Sequence, residues 1–360
     1  MIVEVNLGSR SYRIVVASGA LQSVGERLRE LRLGTRAALV SDGAVMRLYG
    51  KTVVASLEAA GFTVTTIEVP EGEAAKTLTV AQHCWDQLLT AGLDRTSTVL
   101  ALGGGAVGDV AGFAAATYMR GINFVQLPTT VLAQVDASVG GKTAIDHPLG
   151  KNMIGAFHQP RLVVVDPAVA RTLPEREFRS GLAEIVKHGI VLDAGYFAEL
   201  ERDLAPLAAR DLGVLERIIG GSCRLKASVI ERDEREAELR HVLNYGHTIG
   251  HALEASTGYA RYAHGEAVAL GMVAEARLAR RLGIADDETT TRQQRMLETL
   301  GLPVRAPSID VEPVVTAMAR DKKAKDGRIP FVLAPRIGEF RLVYDIPSAE
   351  IRAAIASLAS

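Results

Sequence analysis

Three of the eight histidines fall in two short stretches, Asn244-Tyr245-Gly246-His247-Thr248-Ile249-Gly250-His251 and Ala263-His264-Gly265-Glu266. His247 and His251 are four residues apart and share a helix face, and His264 opens the next helical pattern. A carboxylate candidate, Glu184, stands in Gly181-Leu182-Ala183-Glu184-Ile185-Val186-Lys187-His188, among apolar residues where an unpaired charge would be costly. Neutral imidazoles with one carboxylate suit zinc, and three protein ligands with an open fourth position are the catalytic form. Capping and core hydrogen bonding by the histidines is the competing explanation. Spacing alone does not choose which two of His188, His247, His251 and His264 would bind metal.

A second chemical group lies earlier in the chain. Leu100-Ala101-Leu102 runs into Gly103-Gly104-Gly105-Ala106-Val107-Gly108-Asp109 and then into a helical pattern. Consecutive glycines let backbone N–H groups approach a phosphate, and the helix that follows adds its positive N-terminal end. The run differs from the G-x-G-x-x-G fingerprint, and alone it reads equally well as a tight turn. Three further loops follow apolar runs: Ser41-Asp42-Gly43, whose acid could hold ribose hydroxyls, Pro70-Glu71-Gly72-Glu73-Ala74-Ala75-Lys76, and Pro128-Thr129-Thr130. Each alone is a turn or a helix cap. Together they place polar groups beyond the ends of four expected strands, which points to a dinucleotide.

The 41 cationic residues are 32 Arg and only 9 Lys, which asks why each lysine is not an arginine. An ammonium is a compact point charge that suits a crowded anion site. Lys142 and Lys151 sit in the loop-rich stretch 136–152, and Lys187 lies three residues beyond Glu184 on the same helix face. These three are expected at an anion site. Lys51 and Lys325 read as solvated surface.

The elements that must position these groups change character near residue 170. Before it, apolar β-branched runs at 37–40, 64–67, 98–102, 124–127 and 162–165 alternate with helical patterns such as 45–60 and 79–91. Such alternation implies an α/β domain, Rossmann-like, with a mainly parallel sheet. After it come amphipathic stretches at 175–191, 213–235, 246–255 and 265–282, with a brief β pattern at 329–333 and 340–344. The expectation is two domains: 1–170, α/β and nucleotide-binding, and 171–360, mostly α-helical and metal-binding. At 360 residues, 48% hydrophobic and 23% charged, the chain can bury a sizeable core. The net charge of −1 gives no bulk attraction to nucleic acid or to an anionic membrane. The most apolar stretch, 99–119, is broken by glycines and Asp109 and does not read as a membrane span. Cys84 and Cys223 form no disulfide framework, so a cytoplasmic location is expected.

These motifs, taken in order, resemble the 3-dehydroquinate synthases. The resemblance is carried by 103–113, by Tyr118-Met119-Arg120-Gly121, by 128–136, by Gly150-Lys151-Asn152-Met153-Ile154-Gly155, by Glu184-Ile185-Val186-Lys187 and by Gly246-His247-Thr248-Ile249-Gly250-His251. It implies NAD and zinc as cofactors, with cobalt as an alternative metal, and a homodimer. The zinc ligands implied are Glu184, His247 and His264, with His251 facing substrate. NAD would meet Asp42, Glu71, Gly72, Glu73, Ala74, Ala75, Lys76, Gly104, Gly105, Ala106, Val107, Gly108, Asp109, Thr129, Thr130, Lys142, Lys151 and Thr172. Substrate, an acidic sugar phosphate, would meet Asp136, Lys142, Asn152, Lys187, Lys226, Arg240 and Asn244, and Arg120 would reach in from a dimer partner. The implied reaction is that of a carbon–oxygen lyase of the shikimate pathway, which makes 3-dehydroquinate and phosphate from 3-deoxy-D-arabino-heptulosonate 7-phosphate. A related sugar-phosphate cyclase of the inosose or valiolone type and a metal-dependent polyol dehydrogenase are the alternatives. One departure stands out: where the family commonly has Lys-Thr-Gly, an apolar residue and Asn, this chain has Lys142-Thr143-Ala144-Ile145-Asp146. The exchange alters loop flexibility or adds a charge near the site. Lys322 and Lys323 are further cations of unassigned direction.

Overall fold

A computed structural model describes residues 1–318 and 330–359. Lys322, Lys323 and Lys325 lie outside the described residues. The chain divides into two compact units, residues 1–173 with 215–235, and residues 174–214 with 236–360.

The first unit is built on strands β1 (Ile2–Val5), β2 (Tyr12–Val16), β3 (Arg36–Asp42), β4 (Thr63–Val69), β5 (Thr98–Gly103), β6 (Asn123–Pro128) and, after a separate hairpin of β7 (Lys142–His147) and β8 (Gly150–Phe157), β9 (Leu162–Val165). The main sheet runs β1-β2-β9-β6-β5-β3-β4, parallel throughout except for the β1–β2 pair. Its central strands are apolar on both faces because both faces are covered. Ala38, Val40, Val99 and Ala101 pack with Cys84, Leu88, Val110 and Ala114 on one side. Their neighbours Ala37, Leu39, Leu100 and Leu102 pack with Leu28, Val53 and Leu57 on the other. β3, β5 and β6 end in the Asp42, Gly103–Gly104 and Pro128–Thr129 loops, so the sheet aligns these turns at the carboxyl ends of parallel strands.

Two features differ from the sequence reading. The stretch 136–152, read as loop-rich, contains most of the β7–β8 hairpin. Its alternation is hidden by the left-handed Gly140 and Gly141 that lead into it (φ 107° and 67°) and by an irregular register beside its turn. The helix Leu212–Arg232, expected to belong with the later half, has residues 215–232 in the first unit.

The second unit is helical, with long helices Glu175–Leu192, His247–Ser256, His264–Arg281 and Asp287–Thr299 and one short strand pair, Phe331–Leu333 with Arg341–Val343. Gly265 and Gly271 let His264–Arg281 come against its neighbours. A Cβ on Gly265 would overlap the Ser180 carbonyl, and one on Gly271 the Gly246 carbonyl. Those two approaches bring the Glu184 helix and the His247 helix onto one partner. Among the described residues no helix is long and apolar enough to cross a membrane.

Candidate active site

In the helical unit, Glu184 is fully buried. Its Oε2 accepts a hydrogen bond from Lys187 Nζ, one turn along the same helix. Its Oε1 lies 3.4 Å from His247 Nε2 and 3.5 Å from His264 Nε2, and makes no well-formed hydrogen bond. One ligand atom from each of the three residues falls within 4.8 Å of the others. A buried carboxylate oxygen facing two imidazole nitrogens, with no well-formed hydrogen bond to either, fits a zinc ion's donor set.

The ring orientations are fixed from behind. His247 Nδ1 sits 3.0 Å from the Tyr245 carbonyl, to which it donates, so Nε2 is the ring nitrogen turned toward Glu184. His264 Nδ1 lies 3.4 Å from Glu254 Oε1. Gly246, in the left-handed region at φ 77°, opens the His247 helix, and its N–H donates to the buried Glu275 Oε2 at 2.6 Å. His251 is outside the Glu184 group but joins Glu254 and His264 in a second one, with its ring centroid 5.1 Å from that of His247. Burial alone would push the Glu184 carboxyl up, but the charges of Lys187, His247 and His264 hold it well below the usual carboxylate range. Burial alone would push His264 down, yet its contacts with Glu184 and Glu254 raise it to about 10. The same two carboxylates favour any cation at that position. His188 is buried on the Glu184 helix and is not part of the Glu184–His247–His264 group. Arg240, buried, and Asn244, partly buried, lie in the tight turn Leu239–Asn244 just ahead of His247.

In the α/β unit the cluster is centred on a lysine. Lys76 is buried, and its Nζ donates to Asp109 Oδ2 at 2.7 Å and to Asn152 Oδ1. Asp146 Oδ1 is 3.9 Å and Glu73 Oε2 4.0 Å away, and Lys151 Nζ stands 3.9 Å from Glu73. Burial, reinforced by the charges of Glu73 and Asp146 and opposed by Lys76, raises Asp109 to about 6. Asp109 is on the first turns of the helix Gly105–Thr117, for which Gly104 is the N-cap. Thr129 N–H donates to the Gly103 carbonyl at 2.9 Å, and Thr130 Oγ1 accepts from Ala133 N at 3.0 Å. Asp42 is buried, and its Oδ1 caps the next turn through Ala44 and Val45 N–H. Lys226 is buried too, donating to Asp136 Oδ1 at 2.6 Å and to the Asp136 carbonyl.

Lys142 is exposed at the start of β7, and Thr172 is exposed with its hydroxyl on Tyr49. Glu71, Gly72, Glu73 and Ala74 are exposed at the tip of their loop, with Ala75 and Lys76 buried beneath it. Gly105 and Ala106 are half-buried and Val107 and Gly108 buried in the opening turn of the Gly105 helix. Arg120 is exposed beyond the far end of that helix, whose 13 residues span about 20 Å at the α-helical rise. Sequence reading missed Glu254 and Asp146 as structural partners. Glu254 was within reach, since it lies seven residues from His247 and three from His251 on one helix face.

An α/β unit with polar strand-end loops and a helical unit with a buried two-histidine, one-carboxylate group are the parts of a nucleotide- and metal-binding class of enzyme. The fold agrees: 2-epi-5-epi-valiolone synthase from Streptomyces hygroscopicus, solved with NAD+ and Zn2+ bound, superposes with a TM-score of 0.88 at 30% identity, over 97% of this chain and 96% of that one. Glycerol dehydrogenase from Schizosaccharomyces pombe shares the fold alone, at a TM-score of 0.70 and 18% identity over 96% of this chain and 88% of that one. Within the class, residues 66–180 match the 3-dehydroquinate synthase N-terminal family model and residues 181–324 the C-terminal one. The 3-dehydroquinate synthase of Geobacter metallireducens is 54% identical over 94% of both chains, and that of Desulforamulus reducens 47% identical over 98% of this chain and 99% of its own. The chain belongs to the 3-dehydroquinate synthase family.

Proposed function

We propose that this protein converts 3-deoxy-D-arabino-heptulosonate 7-phosphate to 3-dehydroquinate and phosphate, by transient oxidation, elimination of phosphate, reduction and intramolecular aldol closure. The observation that carries this reading is the buried Glu184–His247–His264 group in a chain 54% identical to a 3-dehydroquinate synthase. Glu184, His247 and His264 would hold zinc, or cobalt, and the loops around Asp42, Glu71–Lys76, Gly104–Asp109, Thr129, Thr130, Lys142, Lys151 and Thr172 would hold NAD. When bound, these groups supply a Lewis acid for a substrate hydroxyl and a reversible hydride acceptor.

The chain's own part is positioning and charge. Lys76, Lys187 and Lys226 are buried, and each is held by a carboxylate, Asp109, Glu184 and Asp136 respectively. Ammonium groups fixed this way need no reorganisation when an anion develops beside them. In the first unit Asp136, Lys142, Asn152 and Lys226 are assigned to the sugar phosphate, and in the second Lys187, Arg240, Asn244 and His251. We assign the dinucleotide to residues 1–170 and the metal to residues 171–360, with substrate contacts drawn from both stretches.

Arg120 serves a second copy of the chain in this reading, as a homodimer requires. Its distance from the Gly104 loop supports that role, and so does its setting. Met119 and Arg120 both adopt left-handed conformations (φ 49° and 67°) beside a shallow groove of about 380 Å³ formed by Trp85, Leu89, Thr117, Tyr118 and Met119. A cytoplasmic location is supported by Cys84 and Cys223, both buried and without a disulfide.

The test is to incubate the protein with zinc, NAD and the heptulosonate phosphate and to follow phosphate and dehydroquinate together. Equal release of the two is expected. Turnover confined to a non-acidic sugar phosphate would move the protein to the inosose or valiolone cyclases.

A further inference from the structure

The β7–β8 hairpin has a defect beside its turn. Ile145 pairs with Ile154 and His147 with Gly150, so between these pairs the single residue Asp146 faces Lys151, Asn152 and Met153. Extra residues on one strand break the ladder and re-aim side chains, which is why bulges recur beside active sites. Asn152, the middle residue of the bulge, is left-handed at φ 58°, a conformation that asparagine adopts more readily than most residues with a Cβ but that still favours glycine. What holds it is the Asp146 side chain, whose Oδ1 accepts the Asn152 N–H at 2.8 Å. Asp146 is itself fixed, because its own N–H donates to the Lys76 carbonyl at 2.8 Å. The Asn152 side chain then meets Lys76 Nζ through Oδ1, and Lys151 leans toward Glu73.

We propose that Asp146 is a positioning residue: by accepting the Asn152 amide hydrogen it sets the bulge that presents Asn152 and Lys151 to the sugar phosphate and the dinucleotide. This rests on the functional reading above. It gives the acid in Lys142-Thr143-Ala144-Ile145-Asp146 a task toward Asn152, that of a hydrogen-bond acceptor. An asparagine at 146 can accept the same N–H through its amide oxygen, and an alanine cannot.

Two readouts test this. In turnover of the heptulosonate phosphate, Asp146→Ala should lower kcat/KM by ~10-fold, as for one lost hydrogen bond, with Asp146→Asn staying within about threefold of the original chain. Added to Asn152→Ala, Asp146→Ala should cost less than about a further twofold, because a residue that acts through another loses its effect when that other is gone. The second readout needs no activity. The chain has four asparagines, Asn6, Asn123, Asn152 and Asn244, so selective 15N-Asn labelling resolves the Asn152 amide, identified by its absence in Asn152→Ala. Its hydrogen exchange should be slow in the original chain and in Asp146→Asn, and fast in Asp146→Ala. Unchanged exchange in Asp146→Ala, equal losses in Asp146→Asn and Asp146→Ala, or multiplying effects in the double variant would each overturn the proposal. An original chain with no turnover would defeat the functional reading instead, and the exchange rates would still decide the role of Asp146.

Discussion

The two charged clusters are built in opposite senses. In the α/β unit one cation, Lys76, is surrounded by Asp109, Glu73 and Asp146. In the helical unit one anion, Glu184, is surrounded by Lys187, His247 and His264. The electrostatic consequences follow the centre: Asp109 is raised to about 6 by burial among other acids, and Glu184 is held well below its ordinary range by cationic neighbours. The first cluster keeps a lysine in place, and its acids are the strained members. The second keeps a carboxylate ionised in the interior and faces it with two imidazole nitrogens, an arrangement that invites a metal ion. Removing the centre or a neighbour should therefore act differently in the two.

The largest effect is expected at the acid-centred cluster. His264→Ala should lose metal and turnover together, with zinc affinity falling more than the ~100-fold that an outer partner alone can cost. Equilibrium competition against a chromophoric chelator measures the first, and a variant that keeps both would sink the ligand assignment. Next comes Lys76→Met, which leaves three carboxylates without their central cation. Breaking a buried pair by removing one partner should lower stability by about 3 kcal/mol, read from denaturant unfolding, and Asp109→Asn in that background should recover part of it. Glu254→Gln is expected to weaken zinc binding by ~10-fold, with the chain's thermal midpoint little changed, because it alters only how His264 is held.

The smallest effect is a pH slope. Asp109 has an ordinary value of 3.8 and a folded value of about 6, so the folded chain binds its proton more tightly than the unfolded chain does. Its contribution to stability is complete below about pH 4 and is lost as the pH rises through about 6. Asp109→Asn should remove that fall, on the order of 1–3 kcal/mol, from the stability profile measured between pH 4 and 7. A profile with the same slope in both proteins would remove Asp109 from the account.

Much of this was legible in the residues, for identifiable reasons. The strand β5, the glycine turn and the helix after it announce themselves because a strand buried on both faces is a continuous apolar run. Choosing among His188, His247, His251 and His264 was beyond spacing, since helical periodicity says which residues share a face and not which helices meet. The glycines Gly265 and Gly271 decide that through close helix contacts that only the fold displays. The same limit applies to Leu212–Arg232, whose amphipathic pattern shows that one face is buried but not against which unit. The β7–β8 hairpin escaped because its bulge and left-handed Asn152 break the period of two. Asp42 illustrates a residue with two readings, and its Oδ1 is engaged as a cap in this structure. The net charge of −1 says nothing of how individual cations are placed. Among the described residues the buried lysines are Lys76, Lys187 and Lys226, each paired with an acid.

The central claim is that the chain runs a closed oxidation–reduction cycle on a phosphorylated acid, and the ratio of phosphate released to NAD supplied tests it most directly. With zinc and NAD at a small fraction of the heptulosonate phosphate, many phosphates per NAD are predicted, with no growing NADH absorbance. One NADH for each substrate consumed, with no phosphate released, would contradict the account and mark the protein as a dehydrogenase.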